Sequence, residues 1–180
     1  MPRVYFVKKA RKDNPVAKRG ESYYWWQHAF KPKQFSKTKP KPSQLTGSAF
    51  LSELYALQEE ITGGMITDFD SMEDYQQDIV GRLTELQDQC QDSLDNMPDH
   101  LQDTSSAGEL LTERIDALDG AISEIESYDT TDEPEDWTDE ADEDDWNKMN
   151  DEEKEEFKTN WKQEKLNEFI EAVNDAWPEL

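Results

Sequence analysis

Two apolar series with helical spacing constrain the fold of this chain more than any other feature. Met72, Tyr75, Ile79, Leu83, Leu86, Cys90, Leu94 and Met97 recur every three or four residues, the period that lines one face of an α-helix. After a polar break at 98–106, Leu111, Ile115, Leu118, Ile122 and Ile125 follow in the 4-3-4-3 rhythm of a heptad seam. Each stripe needs an apolar partner, and the break between them is short. The spacing therefore predicts an acidic helical hairpin over 65–128, its stripes at 69–128 either closed within the chain or completed by a second copy. Asp68 or Asp70 and Thr104 or Ser105 suit the two N-caps. Gly120 weakens the second helix by about 1 kcal/mol relative to alanine.

Charge divides the chain differently. Residues 1–43 hold 12 Lys and Arg against Asp13 and Glu21, a net +10, whereas 44–180 carry −34, for −24 overall. A basic arm and an acidic body of this contrast imply different partners, or each other; the acidic tail is expected to fold back on the arm.

Within the arm, residues 3–9, 22–30 (SYYWWQHAF) and 34–38 are rich in β-branched and aromatic residues and read as three short strands. KPK at 31–33 is short enough for a hairpin, and Pro40 and Pro42 stop the third strand. Side chains alternate along a strand, so Tyr24, Trp26, His28 and Phe30 share one face and Tyr23, Trp25, Gln27 and Ala29 the other. The helical spacing of Phe50, Leu54, Leu57 and Ile61 places a helix at 48–62 that covers one face, with Gly63 and Gly64 as its stop. The pattern leaves open which face is covered. Residues 1–64 are thus a small three-stranded antiparallel headpiece with one helix, and the whole chain is α+β.

Residues 129–145 carry 11 acids and no Lys or Arg, the composition of a disordered linker, here taken as 129–149. A C-terminal amphipathic helix over 150–180 follows, striped by Phe157, Trp161, Leu166, Phe169, Ile170, Val173 and Trp177. Trp137 and Trp146 stand among acids; with Phe157, Trp161 and Trp177 they are the expected protein-binding residues.

The chemistry is sparse. Cys90 is the lone cysteine, His28 and His100 the two histidines, and no metal-ligand spacing, phosphate loop or nucleophile–base set is present. Carboxylates spread along helix surfaces do not converge in a pocket, and DEADEDD lacks the spacing of a calcium loop. No catalytic residue, metal or cofactor is expected. With no run of about 18 apolar residues and no secretory leader pattern, a soluble cytoplasmic protein is expected.

The arm offers the clearest binding chemistry. Tyr23, Trp25 and Trp26, flanked by Lys8, Lys9, Arg11, Lys12, Lys31, Lys33 and Lys37, can stack on bases while the cations take phosphates. The bland reading makes the rings core and the lysines a solvated rim. Trp26 and Phe30 in the second strand, and Phe35, Ser36, Lys37 and Thr38 in the third, give residues 1–60 a pattern that resembles the N-terminal arm-type DNA-binding domain of tyrosine integrases. It departs from that pattern at the glycine-free turn 31–33 and at His28-Ala29, and no integrase catalytic signature follows. The resemblance implies DNA contact without recombination.

The expected function is a non-enzymatic nucleic-acid-associated accessory protein of the viral or mobile-element kind, its headpiece on DNA or RNA and its acidic body on protein. One alternative is an inhibitor whose body mimics nucleic acid and blocks a basic enzyme. A second is an oligomeric scaffold that self-associates through the coiled-coil-like stretch 69–128.

Overall fold

A computed structural model describes residues 1–130, 133–138, 140, 141 and 143–180, excepting the side chains of Glu143 and Asp144. Part of the expected linker, at residues 131, 132, 139 and 142, lies outside the described residues. The chain divides into two compact units, Met1–Gly63 and Gly64–Leu180.

In the first unit β1 (Tyr5–Val7), β2 (Tyr23–Trp26) and β3 (Gln34–Ser36) form an antiparallel sheet in that order. Tyr5 pairs with Trp25 and Val7 with Tyr23; Trp25 pairs with Phe35 and Trp26 with Gln34. The strands are shorter than the aromatic runs that announce them, because local hydrogen bonds turn the chain sooner. Gln27 Nε2 donates to the Lys31 carbonyl at 2.8 Å and the Lys31 N–H to the His28 carbonyl at 3.1 Å. Residues 27–30, expected in the strand, therefore belong to a loop of which 31–33 is only the end. The β1–β2 connection is shaped by Asn14 Oδ1, which accepts from the N–H groups of Val16 and Ala17, and by Gly20 at φ 95, a conformation that favours glycine.

Two helices follow. Proline at the first turn of α1 (Pro42–Leu45) supplies a preset φ where no N–H is needed; this short helix was not legible in the sequence. Ser48 caps α2 (Ala49–Glu60), which buries Phe50, Leu54 and Leu57. It ends in a widened turn, Ile61–Met65, with Gly64 at φ 95, so of the two glycines Gly64 provides the stop. Glu59 joins the helices by accepting from Ser43 N–H and Oγ at 3.0 and 2.9 Å.

In the second unit, a 3-10 turn (Phe69–Ser71) leads into α3 (Met72–Asp95). After α4 (Asp99–Gln102), α5 (Ser106–Glu126) packs along α3 within the chain. Ile79, Leu83, Leu86, Cys90, Leu118 and Ile125 are buried, as the two stripes predict, and Ala121 joins them; Leu111, Ile115 and Ile122 of the second stripe are half-buried. Gln76 Nε2 fastens the start of α3 to the end of α5, donating to the carbonyls of Ile125 and Tyr128 at 2.7 and 2.9 Å. Ser105 caps α5 through the Gly108 N–H at 3.0 Å. Asp68 instead accepts from Ser71 Oγ at 2.9 Å, ahead of the helix. Beyond α6 (Glu143–Trp146), α7 (Asp151–Asp175) opens with a capping box between Asn150 and Glu153. It meets the base of the hairpin through ring pairs Phe69–Trp161 and Tyr128–Phe169, at 5.4 and 5.2 Å. The architecture is α+β. No helix among the described residues is long and apolar enough to cross a membrane.

Candidate nucleic-acid interface

Strand register decides the faces of the headpiece. Tyr5, Trp25 and Phe35 lie in one cross-strand row with Val7 and Tyr23 beside it, while Phe6, Tyr24 and Trp26 point the other way. Among the seven strand aromatics only Trp26 is buried, at 4% exposure. Its indole N–H donates to the Gln44 carbonyl at 3.2 Å, and His28 Nε2 lies 3.4 Å from the same oxygen. Trp26, grouped by sequence with the binding residues, is thus a packing residue held by α1. The open face belongs to Tyr23 and Trp25.

That face is a layered stack. The Tyr5 and Trp25 rings lie 4.4 Å apart and within 10° of parallel. Arg3 sits 5.3 Å from the Tyr5 centroid and Lys33 sits 4.4 Å from the Trp25 centroid. The order Arg3–Tyr5–Trp25–Lys33 leaves neither ring a vacant face, so both present edges outward. Base stacking on Trp25, expected from the sequence, would have to displace Lys33. The geometry instead fixes two cations, each by an interaction worth about 0.5–1 kcal/mol at an exposed site. Tyr23 leans on Phe35 at 6.1 Å.

The register also sorts the lysines. Arg3, Lys31 and Lys33 gather at the end where β1 begins and β2 leaves the sheet. Lys8, Lys9, Arg11, Lys12 and Lys37 gather at the opposite end. All eight are exposed. Lys37 is bound to Glu21 at 2.7 Å, a contact that heads the causes lowering the Glu21 pKa. The other seven have no acidic partner among the described residues.

No family model matches the sequence, and comparison with curated proteins and with solved structures finds no match. The chemistry of both units has to come from their own geometry.

The second aromatic cluster lies in the acidic unit, and there the sequence misleads. Trp137, Trp161 and Trp177 are buried, at 8%, 8% and 9% exposure, and Trp146 and Phe157 are half-buried. Trp137 stacks on Trp146 at 6.1 Å and meets Phe157 and Trp161 edge-on at 6.2 and 5.3 Å. The Trp161 indole N–H donates to Glu140 at 2.8 Å. Lys154, Lys158, Lys162 and Lys165, one stripe of α7, lie over Trp146, Trp137, Phe69 and Trp161 respectively. Lys162 also bridges Glu133 at 2.8 Å and Asp70 at 3.4 Å. Four of the five rings expected to meet a protein partner, Trp137, Trp146, Phe157 and Trp161, therefore meet each other. The expected linker, where described, is strapped onto α7. The lysine stripe was the available signal: four of the seven cations in 44–180 fall at helical spacing on one helix.

Proposed function

We propose that the chain is a non-enzymatic, nucleic-acid-associated accessory protein whose headpiece grips the phosphates of DNA or RNA and whose acidic body contacts protein. The observation that carries this reading is the Arg3–Tyr5–Trp25–Lys33 stack. Rings hold two cations in place without neutralising them, and a polyanion that engages them releases its own counterions. Lys8, Lys9, Arg11 and Lys12 at the far end of the sheet extend the contact along a phosphate backbone. The test is binding of the full-length chain to labelled DNA and RNA across a salt series. Affinity should fall steeply with salt, and replacing Arg3 and Lys33 together by alanine should flatten the log–log slope by roughly 2. An unchanged slope, or no binding at low salt, rejects the proposal.

The body favours one other reading, that of a nucleic-acid mimic. Thirteen exposed carboxylates, seven on α3 and six on α5, line about 33 Å of helix axis. That is one charge per about 2.5 Å, against about 1.7 Å in duplex DNA. Such a surface suits the cleft of a basic nucleic-acid-handling protein. The full-length chain should then displace duplex DNA from such a protein, and failure to compete at low salt removes this reading.

A further inference from the structure

Phe30 is the headpiece residue that no packing argument explains. Its side chain is fully exposed, at 107%, and its backbone stands at φ 61, a left-handed conformation that is a genuine outlier for a bulky residue. Folding gains nothing from a strained loop residue whose ring stays in water. The other rings of the sheet lean on one another: Tyr5 on Trp25, Phe6 on Tyr24, Tyr23 on Phe35. Phe30 keeps both faces open. The loop that presents it is fastened by the Gln27–Lys31 and Lys31–His28 hydrogen bonds, so the ring is held out. Lys31 and Lys33 follow it directly, and Phe30 shares a shallow recess with Arg3, Tyr5 and Trp25. A flat apolar surface is thus displayed inside a cluster of cations without acidic partners among the described residues.

We infer that Phe30 stacks on an unpaired nucleobase, which makes the headpiece selective for single-stranded or gapped nucleic acid over intact duplex. This inference rests on the polyanion reading above. Relative magnitudes decide the strand preference. A base stacked on an aromatic side chain gains roughly fivefold to a hundredfold in affinity. Forcing a ring into a paired step first breaks base stacking, which costs about as much. One ring therefore gains little on duplex and its full effect on a base that is already unpaired. Arg3, Lys31 and Lys33 take the flanking phosphates in either case, so the discrimination falls on Phe30 alone.

The test uses the full-length chain at roughly 50 mM salt and three labelled probes: a single strand of about 12 nucleotides, the same sequence as duplex, and a duplex with a central gap. Single strand and gapped duplex should bind about tenfold more tightly than intact duplex. Phe30→Leu and Phe30→Gly should each remove that margin, and Phe30→Trp should keep or widen it. Glycine adopts the positive φ without strain, so a loss in Phe30→Gly does not report misfolding. Equal or tighter binding to intact duplex, or a margin that survives in Phe30→Gly, overturns the role of Phe30 and leaves the polyanion reading standing. No binding to any probe overturns both.

Discussion

Trp26 donates its indole N–H to the Gln44 carbonyl at 3.2 Å across 18 residues of sequence. That bond ties the middle strand to α1 and turns one ring of the aromatic run inward. Replacing Trp26 by phenylalanine should keep most of the packing and lose the bond, at about 1 kcal/mol. Alanine removes the ring as well, at about 3–5 kcal/mol, enough to unfold a unit this small. Urea denaturation monitored by headpiece amide resonances should show this order. Trp25→Ala should cost less stability and weaken nucleic-acid binding instead. If Trp25→Ala proves the more destabilising of the two alanine variants, the assignment of faces is wrong.

Gly108 is fixed by close approach. A Cβ there would lie 2.0 Å from the Gln102 carbonyl oxygen and 2.8 Å from that of Leu101, backbone atoms that cannot swing aside. Gly108→Ala should cost roughly 2 kcal/mol or more. Gly81 and Gly120 sit inside helices with nothing within 4 Å of an added Cβ. Alanine at either should stabilise the unit by about 0.5–1 kcal/mol. Thermal melts followed by helical circular dichroism test all three, and a neutral Gly108→Ala would contradict the tight α4–α5 turn.

Trp137 anchors the acidic segment through three ring contacts, with Trp146, Phe157 and Trp161. Trp137→Ala should release the strap while the α3–α5 hairpin, whose core it does not enter, stays folded. Limited proteolysis should then cut within 133–146 many-fold faster, with little change in helical signal. Equal cleavage rates in the two proteins would mean that Trp137 does not hold the segment.

These variants follow the boundary between what the residues announced and what they concealed. Heptad spacing needs only neighbours in sequence, so Ile79, Leu83, Leu118 and Ile125 were legible as a hairpin core. Strand alternation separated Trp26 from Trp25 but carried no sign of which faced inward; α1, unforeseen, supplied the Gln44 oxygen that decides it. Composition alone made Trp137 look stranded among acids. Its ring partners lie on α6 and α7, and nothing in the composition of 129–145 points to them; the one sign was the lysines that lie over the rings, spaced by helical turns along the C-terminal helix. The neighbours of Phe30 favour a strand, whereas hydrogen bonds from Gln27 and Lys31 take it out.

The strap also carries a pH dependence of definite sign. Hydrogen bonding to Glu133, opposed by partial burial and assisted by the Glu133 charge and by Asp70, holds the Lys162 pKa above its ordinary value. A lysine raised in the folded state contributes its full stabilisation below the unfolded value, about 10.4, and loses it as pH rises through the higher folded value. The strap should therefore hold across neutral pH and loosen only in the alkaline range. Lys162→Gln should loosen it already at neutral pH and flatten the alkaline change. Acrylamide quenching of tryptophan fluorescence reads the exposure of Trp137 and Trp161, and comparing the two proteins at each pH cancels the tyrosine ionisation common to both. If the alkaline rise in quenching is the same in both, Lys162 is not the group that fastens Glu133 and Asp70 to α7.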